Sequence, residues 1–403
     1  MKRILFIDDE PMILNGLRRV VMCLTGDWEA EFATSGIEAM ELMIKQPFDV
    51  VISDMRMPGM DGADVMKETM RLNPHSVRII LSGQSEQDAI LRCVGVTHQF
   101  LSKPCNADIL QATVSRACSL RDMLNNSQIK GVVSQITSLP AMPALYMEII
   151  KELQSPNASM LAVSKIISKD AGMLAKTLQM VNSAFFGSQR SDKQITDPFR
   201  AVNVLGLNTI SALVLSAKVF SKFPVGSISA FSIDRIMKHS LVVGATAQMI
   251  AKTEKQSSIV TDNCFAAGVM HDLGKMILAT NMPVEYGRVL SQAVKKKQPL
   301  WMAEWENIGT THAEIGAYLL GLWGLPDDVV EAVAYHHTPD RCKHIGFCPM
   351  TAVHIADALD NEFDSAVSKI QPAELSQSYI DKLKLENRLQ EWRDLIDGGR
   401  KVA

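Results

Sequence analysis

Along the first 122 residues, short apolar runs alternate with stretches whose apolar positions recur every three or four residues. The runs Arg3–Ile7, Trp28–Ala33, Asp49–Ser53, Val77–Leu81 and Gln99–Ser102 are brief and bounded by polar or turn residues, as buried strands are. Between them, residues near 12–23, 36–45, 62–72, 86–93 and 107–122 follow a helical period. Five such units predict an α/β fold with a doubly wound, five-stranded parallel sheet. Its ligand site would lie beyond the carboxyl ends of the strands.

The pattern then changes. Ile109, Leu110, Ala117, Leu120, Leu124 and Ile129 keep helical spacing past residue 122 until Gly131 interrupts, and Leu139-Pro140-Ala141-Met142-Pro143 ends any helix. Residues 123–138 read as a partly helical signalling linker or, equally, a dimerisation helix. From Pro143 onward nearly every segment is helical, including Ala158–Ile167, Asp170–Val181, Ala201–Leu205 and Thr209–Phe220. Several are apolar nearly all round, which suits the inner helices of an all-α bundle. From Glu374 to Ala403, Tyr379, Ile380, Leu383, Leu389, Trp392 and Ile396 line one amphipathic helix. Packing on the bundle is the favoured role for it, ahead of binding a separate partner.

Composition narrows the class. Hydrophobic residues make up 47% and aromatics only 6%, favouring helical packing of aliphatic side chains. A net charge of -3 leaves no electrostatic footprint for DNA or an anionic membrane surface. Seven cysteines without a CxxC pair read as free thiols in a reducing, cytoplasmic setting. Met1-Lys2-Arg3 leads straight into a strand, so no signal peptide is expected, and no run is long enough for a membrane helix.

Chemistry-bearing residues collect at the predicted strand ends. Asp8 and Asp9 close the first strand and Asp54 the third; Ser82 follows the fourth and Lys103 the fifth. Three converging carboxylates repel one another unless a hard cation such as Mg²⁺ sits among them. Ser82 and Lys103 offer a hydroxyl and a cation to an anion at the same spot. Strand-end Asp and Ser residues are often only helix caps, but five such positions together outweigh that reading.

FIDDE at 6–10, SDMRMPGMDG at 53–62, LSG at 81–83 and FLSKP at 100–104 resemble the receiver domain of two-component response regulators. The resemblance implies that Asp54 accepts a phosphoryl group from a histidine kinase. It also implies Mg²⁺ held by Asp8, Asp9, Asp54 and the backbone carbonyl of Arg56. Ser82 and Phe100 would be the switch hydroxyl and aromatic, and Lys103 the phosphate-binding lysine. Serine replaces the commoner threonine at position 82.

A second resemblance covers about 131–345. ITSLPAMPALYMEIIKEL at 136–153, ISKDAGMLAKTLQMVNSAFFG at 167–187, AVNVLGLNTI at 201–210 and GLWGLPDDVVEAVAYHH at 321–337 are similar to the HDOD domain. That domain is an all-helical relative of HD-type phosphohydrolases, and most members lack the full ligand set and act as regulatory or scaffolding modules. The related HD-GYP phosphodiesterases supply a metal template of a lone His, His-Asp, a His, a His-His pair and a late Asp. His239, His271-Asp272, His312, His336-His337 and Asp357 match it in order, with Lys275 after the His-Asp pair.

Periodicity supports that set independently. His239 shares an apolar stripe with Ile236, Val243, Ala247 and Ile250. His312 opens a helix whose stripe continues through Ile315 and Leu319, and Val329 and Val333 lead to His336 and His337. Val353 stands one turn before Asp357. Any one of these is more readily a hydrogen-bonded core histidine or a capping Asp; burying all seven unpaired would be costly, and a metal satisfies them together.

A first ion would take His239, His271, Asp272 and Asp357, with Asp272 bridging to a second held by His312, His336 and His337. Such ligands suit Fe or Mn, with Zn less favoured, and Lys275 would stabilise charge on a phosphodiester. In place of the acidic residue and Gly-Tyr-Pro stretch of the phosphodiesterases, the chain reads TPDRCKHIGFCP, leaving a cyclic dinucleotide substrate open. His344 and His354 fall outside the template as surface or supporting residues, and His75 and His98 belong to the receiver.

These readings divide the chain into a receiver at 1–122, a linker at 123–138, an HDOD domain at 139–345 and helices at 346–403 completing the HD core. Two functions compete. One is a response regulator whose HDOD output contacts a downstream signalling protein; the other is a phosphorylation-controlled, metal-dependent phosphohydrolase. A homodimer is compatible with both. A DNA-binding output is disfavoured, because the second half has no basic recognition helix.

Overall fold

A computed structural model describes the chain except residues 1, 24–27, 84–92, 104, 106, 124–126, 135, 137–138, 142, 156, 183–193, 216–219, 223–231, 343, 345, 365–369, 373 and 401–403. The amino-terminal domain alternates β1 (Lys2–Ile7), α1 (Pro11–Cys23), β2 (Trp28–Ala33), α2 (Gly36–Lys45), β3 (Val50–Asp54), α3 (Gly62–Leu72), β4 (Val77–Ser82), β5 (Gln99–Ser102) and α4 (Ala107–Met123). All five strands pair in parallel in the order β2-β1-β3-β4-β5. Strands buried on both faces read as continuous apolar runs, so Val50–Ile52 and Ile79–Leu81 are fully enclosed. The strand order reverses between β1 and β3, which brings Asp8 and Asp54 to the cleft where such sheets bind ligands. The helix expected at 86–93 lies outside the described residues but for its last position.

The linker contains α5 (Ser127–Ser134). Gly131 does not interrupt it, contrary to the sequence expectation. It lies inside the helix, where a Cβ would come 3.0 Å from the His75 ring, so the glycine serves close packing. Buried Arg78 of β4 ties the linker down by donating to Ser134 O and Val96 O. His98 accepts from Arg78 N–H through Nδ1 at 3.0 Å, which leaves Nε2–H facing Ser134 O at 3.3 Å.

The second domain comprises α6 (Pro143–Leu153), α7 (Met160–Ile167), α8 (Ala171–Val181), α9 (Pro198–Leu215), α10 (Ile233–Thr253), α11 (Ser258–Met270), α12 (Leu273–Asn281), α13 (Pro283–Lys296) and α14 (Leu300–Ile308). They are followed by α15 (His312–Leu322), α16 (Asp327–Tyr335), α17 (Pro349–Asp364), α18 (Gln377–Leu383) and α19 (Leu389–Arg400). A short parallel pair, β6 (Leu139–Ala141) with β7 (Phe220–Lys222), departs from the all-α expectation for this region. The apparent break between residues 205 and 209 is a kink inside α9 at Gly206, whose φ is 76°. The carboxyl-terminal helix is two helices, because Lys384 adopts a left-handed φ of 59° between them. Tyr379, Ile380 and Trp392 are buried, so this tail packs on the bundle. Among the described residues, no helix is long and apolar enough to cross a membrane.

Candidate functional site

The receiver cleft is built by the ends of β1, β3, β4 and β5. Lys103 donates to Asp8 Oδ2 at 2.7 Å and is closely paired with Asp54 Oδ1. Asp54 Oδ2 also accepts from Arg56 N–H at 2.9 Å, and Asp8 Oδ1 from Glu10 N–H at 3.0 Å. Burial pushes the Asp54 carboxyl up, opposed by the Lys103 ammonium; burial of Lys103 is in turn outweighed by its two carboxylates. Ser82 Oγ is buried with no hydrogen-bond partner, and Phe100 is buried. Asp8, Asp9 and Asp54 do not form a close-set group among the described residues, and Lys103 bridges Asp8 and Asp54. The donor chemistry still fits a hard cation, since carboxylate oxygens dominate the cleft.

The second site is deeper. Apolar α11 delivers His271 at its carboxyl terminus, and Asp272 starts α12 without capping it through the side chain. The carboxylate instead accepts from Lys275 at 2.6 Å through Oδ2 and turns Oδ1 to His271 Nε2 at 3.5 Å and His312 Nε2 at 3.3 Å. Gly274 reads in the sequence as the site of a sharp turn. Its role is close approach: a Cβ there would lie 1.9 Å from His312 O, so only glycine lets α12 meet the start of α15. A capping box of Thr311 and Glu314 fixes that start.

All seven expected ligands converge. His271, Asp272, His312 and His336 are almost wholly buried, as is Asp357, while His239 and His337 lie part-buried at the rim. Close-set groups form from His239, His271 and Asp357, from His312, His336 and His337, and from His271, Asp272 and His336. His271 Nδ1 donates to Gly268 O at 2.7 Å and His336 Nδ1 to Val333 O at 2.8 Å, which turns each Nε2 lone pair inward. His271 Nε2, Asp272 Oδ1, His336 Nε2 and His337 Nδ1 are buried without hydrogen-bond partners. His312 Nε2 and His337 Nε2 stand 3.1 Å apart, about the spacing of two nitrogens bound at ~2.1 Å to one ion. Four orphaned atoms and this nitrogen pair fit a divalent metal better than a hydrogen-bonded core.

Electrostatics point the same way. Burial disfavours a charge on His239, yet the bonds to Asp357 (3.1 Å) and Asp360 (2.6 Å) push it up to about 10, so a proton sits where a cation is favoured. Burial holds His271, His336 and His337 below the usual imidazole range, in the neutral form metals need. Burial also opposes ionisation of Asp272 and Asp357, but nearby histidines and, for Asp272, Lys275 hold both well below the usual carboxylate range.

Several supporting residues were missed in the sequence. Asp360 orients His239 and lies one turn after Asp357 on α17, a spacing that could have flagged it. Glu304 of α14 accepts from His312 Nδ1 at 2.6 Å, His312 N at 2.8 Å and Tyr286 Oη at 2.9 Å. No local pattern announces it. Of the two roles expected for His354, the structure gives the supporting one: it is buried, its Nδ1 donates to His336 O at 2.7 Å and its Nε2 accepts from Ser376 N–H at 3.0 Å. His344 is exposed and pairs with Glu331 at 3.4 Å.

Two families match the chain: the response regulator receiver domain over residues 4–115 and the HDOD domain over 139–339. An uncharacterized protein of Treponema pallidum (strain Nichols) is 23% identical over 234 residues, 58% of this chain and 42% of that protein. The hydrogenase transcriptional regulatory protein HoxA of Cupriavidus necator is 34% identical over 116 residues, 28% of this chain and 23% of that protein. The chain therefore spans less than half the length of either relative. Among solved structures, the MmoQ response regulator of Methylococcus capsulatus str. Bath is similar with a TM-score of 0.48 at 21% identity, covering 64% of this chain and 98% of that one. The signal receiver domain of an HD domain-containing protein from Pseudomonas fluorescens Pf-5 covers 30% of this chain and 98% of its own, with a TM-score of 0.29 at 25% identity. With a matched receiver sheet followed by a matched helical output, the chain belongs to the two-component response regulators that carry an HDOD domain.

Proposed function

We propose that a histidine kinase phosphorylates this regulator on Asp54 and that the HDOD domain passes the signal on mainly by protein contact, around a bound metal pair. The observation that carries the first half is the Asp8–Lys103–Asp54 bridge at the switch point of the sheet, beside the unpartnered Ser82 hydroxyl. Asp54 is the nucleophile, Asp8, Asp9 and the Arg56 carbonyl complete a Mg²⁺ site with it, and Lys103 and Ser82 take phosphoryl oxygens. The test is phosphoryl uptake from acetyl phosphate: the intact chain labels and Asp54→Ala does not. Labelling of the variant at the native rate would refute the assignment.

In the output domain, His239, His271, Asp272 and Asp357 would hold one Fe or Mn ion, and His312, His336 and His337 the other; Asp272 Oδ1 lies 3.5 Å from His271 Nε2 and 3.3 Å from His312 Nε2, one residue of each set. The segment after His336-His337 favours protein contact over cyclic dinucleotide hydrolysis. Within it, Asp340 accepts from Ser376 at 3.1 Å and Ser378 at 3.0 Å, which pins this segment to the carboxyl-terminal helices.

The buried orphaned ligand atoms favour a second reading, metal-dependent phosphoester hydrolysis. The ions would supply Lewis acidity toward a phosphoryl oxygen. Lys275 would neutralise developing charge from its place beside Asp272, and Trp301, stacked on His337 with ring centroids 6.2 Å apart, would shield the mouth from water. Metal analysis with a subsequent phosphodiesterase assay in Mn²⁺ or Fe²⁺ separates the two. Turnover abolished by His271→Ala with Asp272→Ala supports hydrolysis; metal-loaded protein without turnover supports contact alone.

A further inference from the structure

The receiver does not merely precede the HDOD domain; it grips one turn of it. Gln99 of β5 donates from Nε2 to Leu322 O at 3.0 Å. Arg116 of α4 donates to Leu325 O and pairs with Asp327 at 2.8 Å. Between these anchors Gly324 turns the chain with a left-handed φ of 74°, and its carbonyl accepts from Gln194 at 2.9 Å. Beside the turn, buried Lys176 lies 4.1 Å above the Trp323 ring and donates to Val94 O of the receiver at 3.3 Å. Gln179 of α8 donates to His98 O at 3.0 Å.

This turn joins the two helices that carry the second ligand set. α15 starts at His312 and ends at Leu322; α16 starts at Asp327 and is capped by His336, with His337 next. At 1.5 Å per residue these are stiff rods of about 16 and 13 Å, so a shift at residues 322–327 reaches their far ends with little loss. On the receiver side, Gln99 and Phe100 share a four-residue strand, and Lys103, which binds Asp54, directly follows it. A phosphoryl group on Asp54 adds three acceptor oxygens and draws Lys103 to new partners, which loads the end of β5.

We propose that the receiver's phosphorylation state sets the geometry of the His312–His336–His337 half of the metal centre through the 322–327 turn. The His239–His271–Asp357 half is affected less, because these three residues come from α10, α11 and α17, which the turn does not join; Asp272, which faces His271 and His312 alike, is the one member of that set through which a shift of α15 reaches it. The inference rests on phosphorylation at Asp54 and on metal binding in the output domain. It fits an allosteric device in which two sites bias one shared element.

The test uses the full chain with Mg²⁺ in excess to fill the receiver and beryllofluoride standing in for the phosphoryl group. Mn²⁺ is titrated, and a His336→Ala, His337→Ala chain supplies the blank that isolates the second ion. Beryllofluoride should change the affinity of that ion by about five-fold or more and that of the first by less than two-fold. It should also alter amide exchange over residues 319–337. Both responses should vanish in Gln99→Met, Arg116→Met, a pair that keeps side-chain bulk and touches no ligand. Two ions bound with affinities indifferent to beryllofluoride would overturn the inference while leaving the metal reading intact. No Mn²⁺ above the blank would overturn the metal reading and the inference with it; failure of beryllofluoride to bind would do the same through the receiver. If the double variant does not fold, the comparison within the unaltered chain still decides.

Discussion

Gly274→Ala isolates the packing that assembles the HD centre. The added methyl would lie 1.9 Å from His312 O, 2.6 Å from its carbonyl carbon and 2.9 Å from its Cα. These are backbone atoms, so no rotamer change relieves the clash, and the first separation is short of van der Waals contact by about 1.5 Å. α12 and α15 must move apart, and the Asp272–His312 approach of 3.3 Å opens with them. Overpacking of this kind costs about 1–3 kcal/mol, or a fall of roughly 2–4 °C in Tm per kcal/mol for a domain of this size. Loss of metal should exceed what that destabilisation explains, because ligand geometry tolerates less than an ångström of error. Gly287→Ala is the control: it lies within α13 with nothing within 4 Å of its would-be Cβ, and a helical glycine replaced by alanine should gain about 0.5–1 kcal/mol. If the reasoning holds, thermal melts of the two variants shift in opposite directions, and bound metal falls in Gly274→Ala alone. A Gly274→Ala protein with native Tm and native metal content would refute it.

Glu304→Gln should lower metal affinity about 10–100-fold, because the buried carboxylate that fixes His312 loses its charge. Equilibrium Mn²⁺ binding checks this, and unchanged binding would remove Glu304 from the site's support. Lys176 is pushed down by burial to about 7 from 10.5, so the unfolded chain binds the extra proton across that window. Stability should therefore rise with pH from about 7 toward 10.5 in the native chain, and the rise should flatten in Lys176→Met. Denaturant melts at pH 7 and 9 read the difference; parallel pH profiles would show that Lys176 carries no such linkage.

The receiver was legible because its information is local. Each strand is a short apolar run, and each functional residue sits at the end of one, so the position of Asp54 or Lys103 follows from where the run stops. The cluster in the HD centre was legible for a different reason: histidines on apolar helical stripes are conspicuous where polar groups are rare. What escaped depends on approach in space. Glu304 lies eight residues before His312 on another helix, and nothing in its own segment distinguishes it from a surface glutamate. Gly131 reads as a breaker and Gly274 as a turn, since a sequence records the missing side chain but not the neighbour that requires it. The short β6–β7 pair joins segments some eighty residues apart, and neither three-residue strand has a period to detect.

Both sites solve one electrostatic problem in the same manner. In the receiver, two buried carboxylates are held together by the Lys103 ammonium. In the HD centre, Asp272 is held by Lys275, and Asp357 and Asp360 by a protonated His239. Carboxylates packed this closely are tolerable only with positive charge among them. At the receiver that charge is movable: Lys103 is on a side chain about one-quarter exposed and can turn to a phosphoryl oxygen. At the HD centre Lys275 is the only lysine at hand among the described ligand contacts, and three histidines beside it are held neutral by burial. Those neutral rings present lone pairs that no proton in the site serves, whereas Lys103 has both of its carboxylates satisfied. On the proposed function, the receiver cleft is arranged to exchange its cation's partners on a signal, and the HD centre to accept a divalent ion. That difference suits the proposal of a phosphate-switched domain controlling a metal-holding one.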